Sequence, residues 1–271
     1  MVSYVLAIIA SVVYGSADFC GGMATKRASV YAVVVFSQLS GFILLLIALP
    51  LSPSSSPTAI DFAWGAGAGV VGGVGVAWLY RALARGVMSV VAPVTAVCAV
   101  LVPLVVGLSL GERPRSAAMI GVALAIVAIV LVSQNGESYS TTAVPLAIGS
   151  GIAIGLFLVC LARSGPSAGM WPLLAARIVS VTLFALLGRG RVVPERSTWP
   201  LVIGGGALDM LANLLYVLAV RQGMLSIVAT LTSLYPASTI ILARVVLRER
   251  MRFVQQMGVL CAAAAIVLIV R

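Results

Sequence analysis

Three ionisable side chains stand inside long apolar runs of this sequence: Asp18, Arg177 and Asp209. A charge in hydrocarbon costs about 2.5–3.5 kcal/mol on insertion scales, so such residues pair, or meet a solute or an ion. The planar fork of Arg177 suits a carboxylate, that of Asp209 or that of a solute. Asp209 suits an amine or a proton. Asp209, Asn213 and Tyr216 stand at i, i+4 and i+7, one face of a helix. Ser11, Tyr14, Gly15 and Asp18 share a face in the same way. Asp18 is the candidate for proton coupling if it faces a cavity; near a helix end it can instead snorkel to the headgroups.

Neutral groups extend the set. Gln38, Ser37 and Ser40 fall in one apolar run, and Thr230, Ser233, Tyr235 and Thr239 in another. They offer hydrogen bonds to a solute, or satisfy their own helix and its neighbours. Trp78 and Trp171 offer stacking faces. Trp64, Trp171 and Trp199 also fall near the ends of apolar runs, where an interfacial belt accounts for them. Glu112 and Glu249 recur in similar surroundings, but between runs and beside arginines, where a carboxylate caps a helix or gates cheaply.

Other chemistry is excluded by residue type. The chain has no His, which removes a His-based triad, a His proton relay and a His–Cys metal site. Cys20, Cys98, Cys160 and Cys261 lie in separate runs without a CxxC pair and read as small apolar residues. Gly65, Gly67, Gly69, Gly72, Gly73 and Gly75 contain a Gly-x-x-x-Gly pattern for close helix packing, with no phosphate-binding Lys after it. No metal or cofactor is expected.

The elements that must hold these residues follow from composition. Of 271 residues 62% are hydrophobic and 9% charged, and the mean hydropathy is +1.18. Too few polar residues remain to cover a soluble surface. The net charge of +10 is dispersed between apolar runs, which suits membrane orientation and not nucleic acid. The first run lacks a basic leader or a cleavage pattern and reads as a permanent span. A bilayer-crossing helix needs about 20 apolar residues. Ten runs qualify: 3–22, 30–50, 62–82, 87–110, 115–133, 142–162, 168–188, 199–220, 224–246 and 252–270. Pro50, Pro53, Pro57, Asn135-Gly136 and Gly165-Pro166 punctuate them. The third and fourth runs, and the eighth and ninth, are parted only by Arg and Gly, yet each joined run would far exceed the membrane thickness.

The chain also resembles itself. Residues 79–133 align without a gap on 216–270, at a constant offset of 137. Ala82, Gly86, Ser89 and Thr95 meet Ala219, Gly223, Ser226 and Thr232. Leu110, Glu112, Arg113, Arg115 and Gly121 meet Leu247, Glu249, Arg250, Arg252 and Gly258. Five spans per copy is an odd number, so the second copy enters from the opposite side, the arrangement of alternating-access transporters. Basic residues favour the odd-numbered loops throughout, a bias that is reversed relative to the second copy's own spans. Asp209 and Asn213 correspond to Gly72 and Val76, so one copy has a polar stripe where the other has a packing stripe.

The pattern Ala-x-x-x-Gly, a Ser/Thr-bearing span, Leu110-Gly111-Glu112-Arg113 and a Gly-led last span resembles the EamA-type repeat of the drug/metabolite transporter superfamily. The second copy reads Leu247-Arg248-Glu249-Arg250, without the Gly. Pro236 and Arg177 stand where the family usually has Pro and Arg; Gln38 takes the Arg position in the first copy, and Ala99 the Pro position. The resemblance implies transport of amino acids, nucleotide sugars, other metabolites or drugs, mostly as export or exchange. It also implies both termini inside, whereas the basic residues alone place the odd-numbered loops in the cytoplasm.

The expectation is an all-α membrane protein, with ten transmembrane helices in two inverted five-helix repeats, 1–136 and 142–271, around a central cavity. Its function is secondary transport of an amino-acid-like or other small polar or amphipathic solute, as an exporter in a bacterial inner membrane. The expected solute site is Arg177, Asp209, Asn213, Tyr216, Gln38, Tyr14, Trp78 and Tyr235, with Asp18 coupling protons. The partners are the solute and the bilayer, without nucleic acid; a monomer suffices, and a homodimer is compatible. A lipid-acting membrane enzyme lacks the necessary cluster of catalytic groups, and saturable flux distinguishes a carrier from a channel or scaffold.

Overall fold

The computed structural model describes residues 2–51, 56–109, 116–133, 142–188, 193–222, 231–232 and 234–270. Glu112, Arg113, Arg115, Asn135-Gly136, Arg189, Arg191, Gly223, Ser226, Thr230 and Ser233 lie outside them. The described helices are α1 (Val2–Thr25), α2 (Val30–Ala48), α3 (Ala59–Arg85), α4 (Met88–Ser109) and α5 (Ser116–Ser133). They continue with α6 (Ala143–Ala162), α7 (Trp171–Leu187), α8 (Trp199–Gln222), α9 (Pro236–Val246) and α10 (Phe253–Val270). No strand occurs among the described residues. Stretches of α1, α2, α3, α4, α6 and α8 are long and apolar enough to cross a membrane; α5, α7, α9 and α10 contribute shorter apolar stretches.

Local sequence accounts for the boundaries. Thr58 and Asp61 form a capping box that starts α3, satisfying donors that a helix start leaves open. Gly86 separates α3 from α4, and a methyl there would press on Ala143 at 2.6 Å. The weak break expected at that point is therefore a real one. The ninth span departs from expectation. Residues 234–235 form a turn, and a new helix starts at Pro236. Proline has no N–H for the preceding turn and suits a first helical position. Pro93 and Pro103 lie inside α4, which runs on without a break.

Small residues let the helices approach closely. Gly65 and Gly69 of α3 abut the backbone of Pro172 and Ala176 on α7, and Gly73 abuts Ser180 and Phe184. Gly206 of α8 lies against the Ser37 carbonyl of α2. Such contacts substitute for the hydrophobic driving force that lipid removes. The outer surface is apolar: Leu186 and Val245 are each 72% exposed, which suits lipid and not water.

The packing partners repeat. α1 packs along α8 and α3 along α6; α2 packs on α8 and α3 on α7; α1 meets α9 and α4 meets α6. Exchanging α1, α2, α3 and α4 for α6, α7, α8 and α9 turns each of these pairings into the other. It leaves the α5–α10 and α2–α7 pairs unchanged. Gly15 of α1 abuts Tyr235, and Gly151 of α6 abuts Cys98. Tyr235 and Cys98 are separated by 137 positions, the offset of the sequence repeat.

Candidate functional site

The polar residues of the interior converge between α1, α3, α7 and α8. Arg177, near the middle of α7, is buried at 8% exposure, and its Nη2 donates to Asp209 Oδ2 on α8 in an ion pair. The Asp209 side chain keeps 28% of its surface accessible, so this carboxylate is not sealed in packing. A methyl on Gly41 of α2 would come within 3.7 Å of Arg177 Cζ. The guanidinium is thus wedged between α2 and α8.

Asp18 belongs to the same cluster. It lies within electrostatic reach of Asp209, and Tyr14, Tyr80 and Tyr235 lie within reach of Asp18. Tyr14 also senses Asp209, Arg177 and Tyr216, and Tyr80 senses Asp209 and Arg177. No described residue gives Asp18 a hydrogen bond or an ion-pair partner. The rings of Tyr14 and Tyr235 are 6.4 Å apart at 59°. The Tyr80 ring covers Gly21, which stands three residues after Asp18, close to one helical turn.

Several expected residues satisfy themselves locally. Asn213 Nδ2 donates to the Asp209 carbonyl at 2.7 Å. Ser40 Oγ donates to the Ile203 carbonyl at 2.9 Å, and Thr239 Oγ1 to the Gly15 carbonyl at 3.0 Å. Gln38 is buried beside Ser37, whose backbone meets Gly206. Thr232 Oγ1 is buried without a partner among the described residues. Trp78 stands apart from the cluster. It is 41% exposed and packs on Gly149 beside an outward apolar groove of about 290 Å³, lined also by Val70, Val74, Ile152 and Leu156. Trp171 meets Phe62, and Trp199 meets Phe36 edge-on at 4.7 Å.

Sequence reasoning missed Tyr80, whose one signal was being the single Tyr of the third span. The charges on α1, α7 and α8 that lie within its reach are brought there by tertiary packing. Glu249 proves to be a cross-half cap. Its Oε1 accepts from Met88 N at 2.9 Å, and its Oε2 from Ser89 N at 3.0 Å and Ser89 Oγ at 2.8 Å. The carboxylate thus closes the start of α4 from the loop between α9 and α10, as expected for a structural or gating Glu. At the other end of α3, Asp61 Oδ1 accepts from Gly165 N at 2.6 Å.

These features define a multi-pass, all-helical integral membrane protein with a charge pair in its interior, between α7 and α8. The model of the EamA-like transporter family matches residues 1–134 and 141–271, and the chain belongs to that family. It is therefore a membrane transporter. No curated protein matches the chain. Twelve solved chains match it. One of them, described only as a crystal structure of a protein, is 14% identical with a TM-score of 0.64, covering 98% of this chain and 95% of its own.

Proposed function

We propose that the chain is a secondary transporter that exports a small polar or amphipathic metabolite by alternating access, in a bacterial cytoplasmic membrane. Ten crossings in two inverted halves, 1–136 and 142–271, would enclose the solute site. The observation that carries this reading is the Arg177–Asp209 pair with a partly accessible Asp209, set against Asp18 of α1, which has no partner among the described residues. Charges in a membrane interior mark solute and ion pathways, and transporter sites lie between repeats near the midplane. The half-swapped packing of the helices supports the two-fold arrangement.

In this reading Arg177 and Asp209 hold one another while the site is empty and re-pair with polar groups of the solute when it is filled. Tyr14, Tyr216 and Tyr235 line the site, and Gln38 and Asn213 supply neutral hydrogen bonds. Asp18 takes up a proton from one side and releases it to the other. Trp78, on the outer face, belongs to lipid packing.

Purified protein in proteoliposomes tests the reading. Uptake of labelled metabolites should saturate and be accelerated by unlabelled solute inside. Flux that rises linearly with concentration, without acceleration from the far side, indicates a channel and refutes it.

A further inference from the structure

α3 lies in the first family-matched stretch and α6 in the second. The two helices pack side by side, yet their outer edge is not filled. Gly149 of α6 has no side chain, and the Trp78 ring of α3 lies over it. Val70, Val74, Ile152 and Leu156 continue the walls of an apolar groove of about 290 Å³. From Val70 to Trp78 the groove follows α3 for eight positions, about 12 Å along a helix axis. Trp78 and Ile152 are 41% and 45% exposed, so the groove opens outward, toward the hydrocarbon of the bilayer.

The same stripe of α3 ends in charge. Val70, Val74, Trp78, Arg81 and Arg85 follow one another at spacings of three or four residues, one face of the helix. Arg81 is half-buried and Arg85 exposed. Neither has an ion-pair or hydrogen-bond partner among the described residues. α3 has 27 residues, about 40 Å of helix, which reaches past a hydrocarbon core of roughly 30 Å at both ends. Arg85, the last residue of α3, therefore stands at headgroup depth, and Arg81 one turn below it at the boundary. Trp78 comes just beneath, where interfacial aromatic rings lie. Gly86 abuts Ala143, so α6 starts at this same end and its dipole adds positive potential. Glu249, the carboxylate beside the start of α4, is engaged by the amides of Met88 and Ser89.

We propose that this face binds one anionic phospholipid, with an acyl chain in the groove beneath Trp78 and the phosphate on Arg81 and Arg85. The surrounding bilayer supplies an apolar occupant for the groove. The two guanidinium forks select a phosphate, which they hold through paired hydrogen bonds. A second copy of the chain fits less well. Related by an axis normal to the membrane, it would bring its own Arg81 and Arg85 to the same depth, like charge against like.

The charged stripe belongs to the first copy alone. At the repeat offset of 137, Trp78, Arg81 and Arg85 correspond to Leu215, Leu218 and Gln222. The repeated packing of the helices thus does not require a ring and two charges there, whereas a lipid headgroup does. Because the lipid touches both α3 and α6, it holds the two matched stretches together in this arrangement.

Native mass spectrometry of the full chain in detergent, given equal amounts of dioleoylphosphatidylglycerol and dioleoylphosphatidylcholine, tests the proposal. One phosphatidylglycerol should stay bound, favoured about tenfold or more over phosphatidylcholine, a preference of the size that two basic residues at an anionic headgroup supply. Arg81→Gln combined with Arg85→Gln should lose the preference. Lys26→Gln combined with Arg27→Gln should keep it. Those exposed residues follow α1 at the same end, but α1 packs on Tyr80 and Leu83, the other side of α3. Equal retention of the two lipids, or a preference that survives loss of Arg81 and Arg85, would overturn the proposal. An equal loss in the Lys26 and Arg27 variant would overturn it too, since it indicates general attraction to a basic end. If the arginine variant fails to fold, Trp78 decides. In phosphatidylcholine nanodiscs, a minor fraction of phosphatidylglycerol with brominated chains should quench the fluorescence of the parent more than the same fraction of brominated phosphatidylcholine. Trp78→Phe should abolish that difference. Equal quenching by the two lipids, or an unchanged difference in Trp78→Phe, refutes the site.

Discussion

Arg177 and Asp209 are each other's principal partner, and their energetics are coupled. Removing one leaves the other charged and poorly solvated, at about 2 kcal/mol or more. Arg177→Gln and Asp209→Asn should each lower the unfolding temperature in detergent. The double variant should be less destabilised than the two losses added together, because the second change removes a charge the first left stranded. Additive losses would show that the pair does not interact. Asp18 behaves differently, since it lacks a partner among the described residues: Asp18→Asn should leave the unfolding temperature near that of the parent and abolish proton-driven uptake. Retained proton-driven uptake refutes its coupling role. The three charges were legible in the sequence because an ionisable group in an apolar run is conspicuous. Tyr80 was not, because tyrosines are common near span ends and only packing against Gly21 brings this one to the charges. Trp78 misled for a related reason: the sequence shows an aromatic ring but not the side of the helix that faces lipid.

At the scale of helices, close approach is set by glycine. A side chain on Gly206 would collide with the backbone of Ser37, whereas nothing lies within 4 Å of a methyl on Gly204. Gly206→Leu should fail to give a folded protein, and Gly204→Ala should be accepted with little change in unfolding temperature. Equal tolerance would refute the α2–α8 contact. The Glu249 carboxylate accepts two backbone amides and a hydroxyl at the start of α4. Glu249→Ala should cost about 1–2 kcal/mol in unfolding experiments. Its neighbour explains a gap in the motif. Arg248 takes φ 54°, a left-handed conformation, at the position where the first copy has Gly111. Glycine adopts that conformation freely, and other residues at a cost of roughly 1 kcal/mol. Arg248→Gly should therefore stabilise the protein by about that amount, read as a raised unfolding temperature. Helix ends were readable to within a few residues, because apolar length and Gly or Pro punctuation set them. The break before α9 was not, since proline is carried inside α4 and starts a helix at Pro236; the difference lies in what each helix packs against.

For the molecule as a whole, the repeat was the strongest message in the sequence. Charged and glycine residues in register at a fixed offset are rare by chance in so apolar a chain. The packing carries the same message, with Gly15 on Tyr235 and Gly151 on Cys98. The sequence could not show which side chains share the space between the halves, because that depends on helix rotation. It could not orient the termini either, since the basic residues and the family resemblance point opposite ways. The account stands on one claim: a polar site shared by the two halves opens in turn to each side of the membrane. Tyr216→Cys, in a chain with its four native cysteines replaced, places a thiol at that site. The account predicts labelling by a membrane-impermeant maleimide applied from either side of sealed vesicles, while no reagent reaches the opposite compartment. Labelling from one side only, or reagent crossing freely to the other, would contradict it.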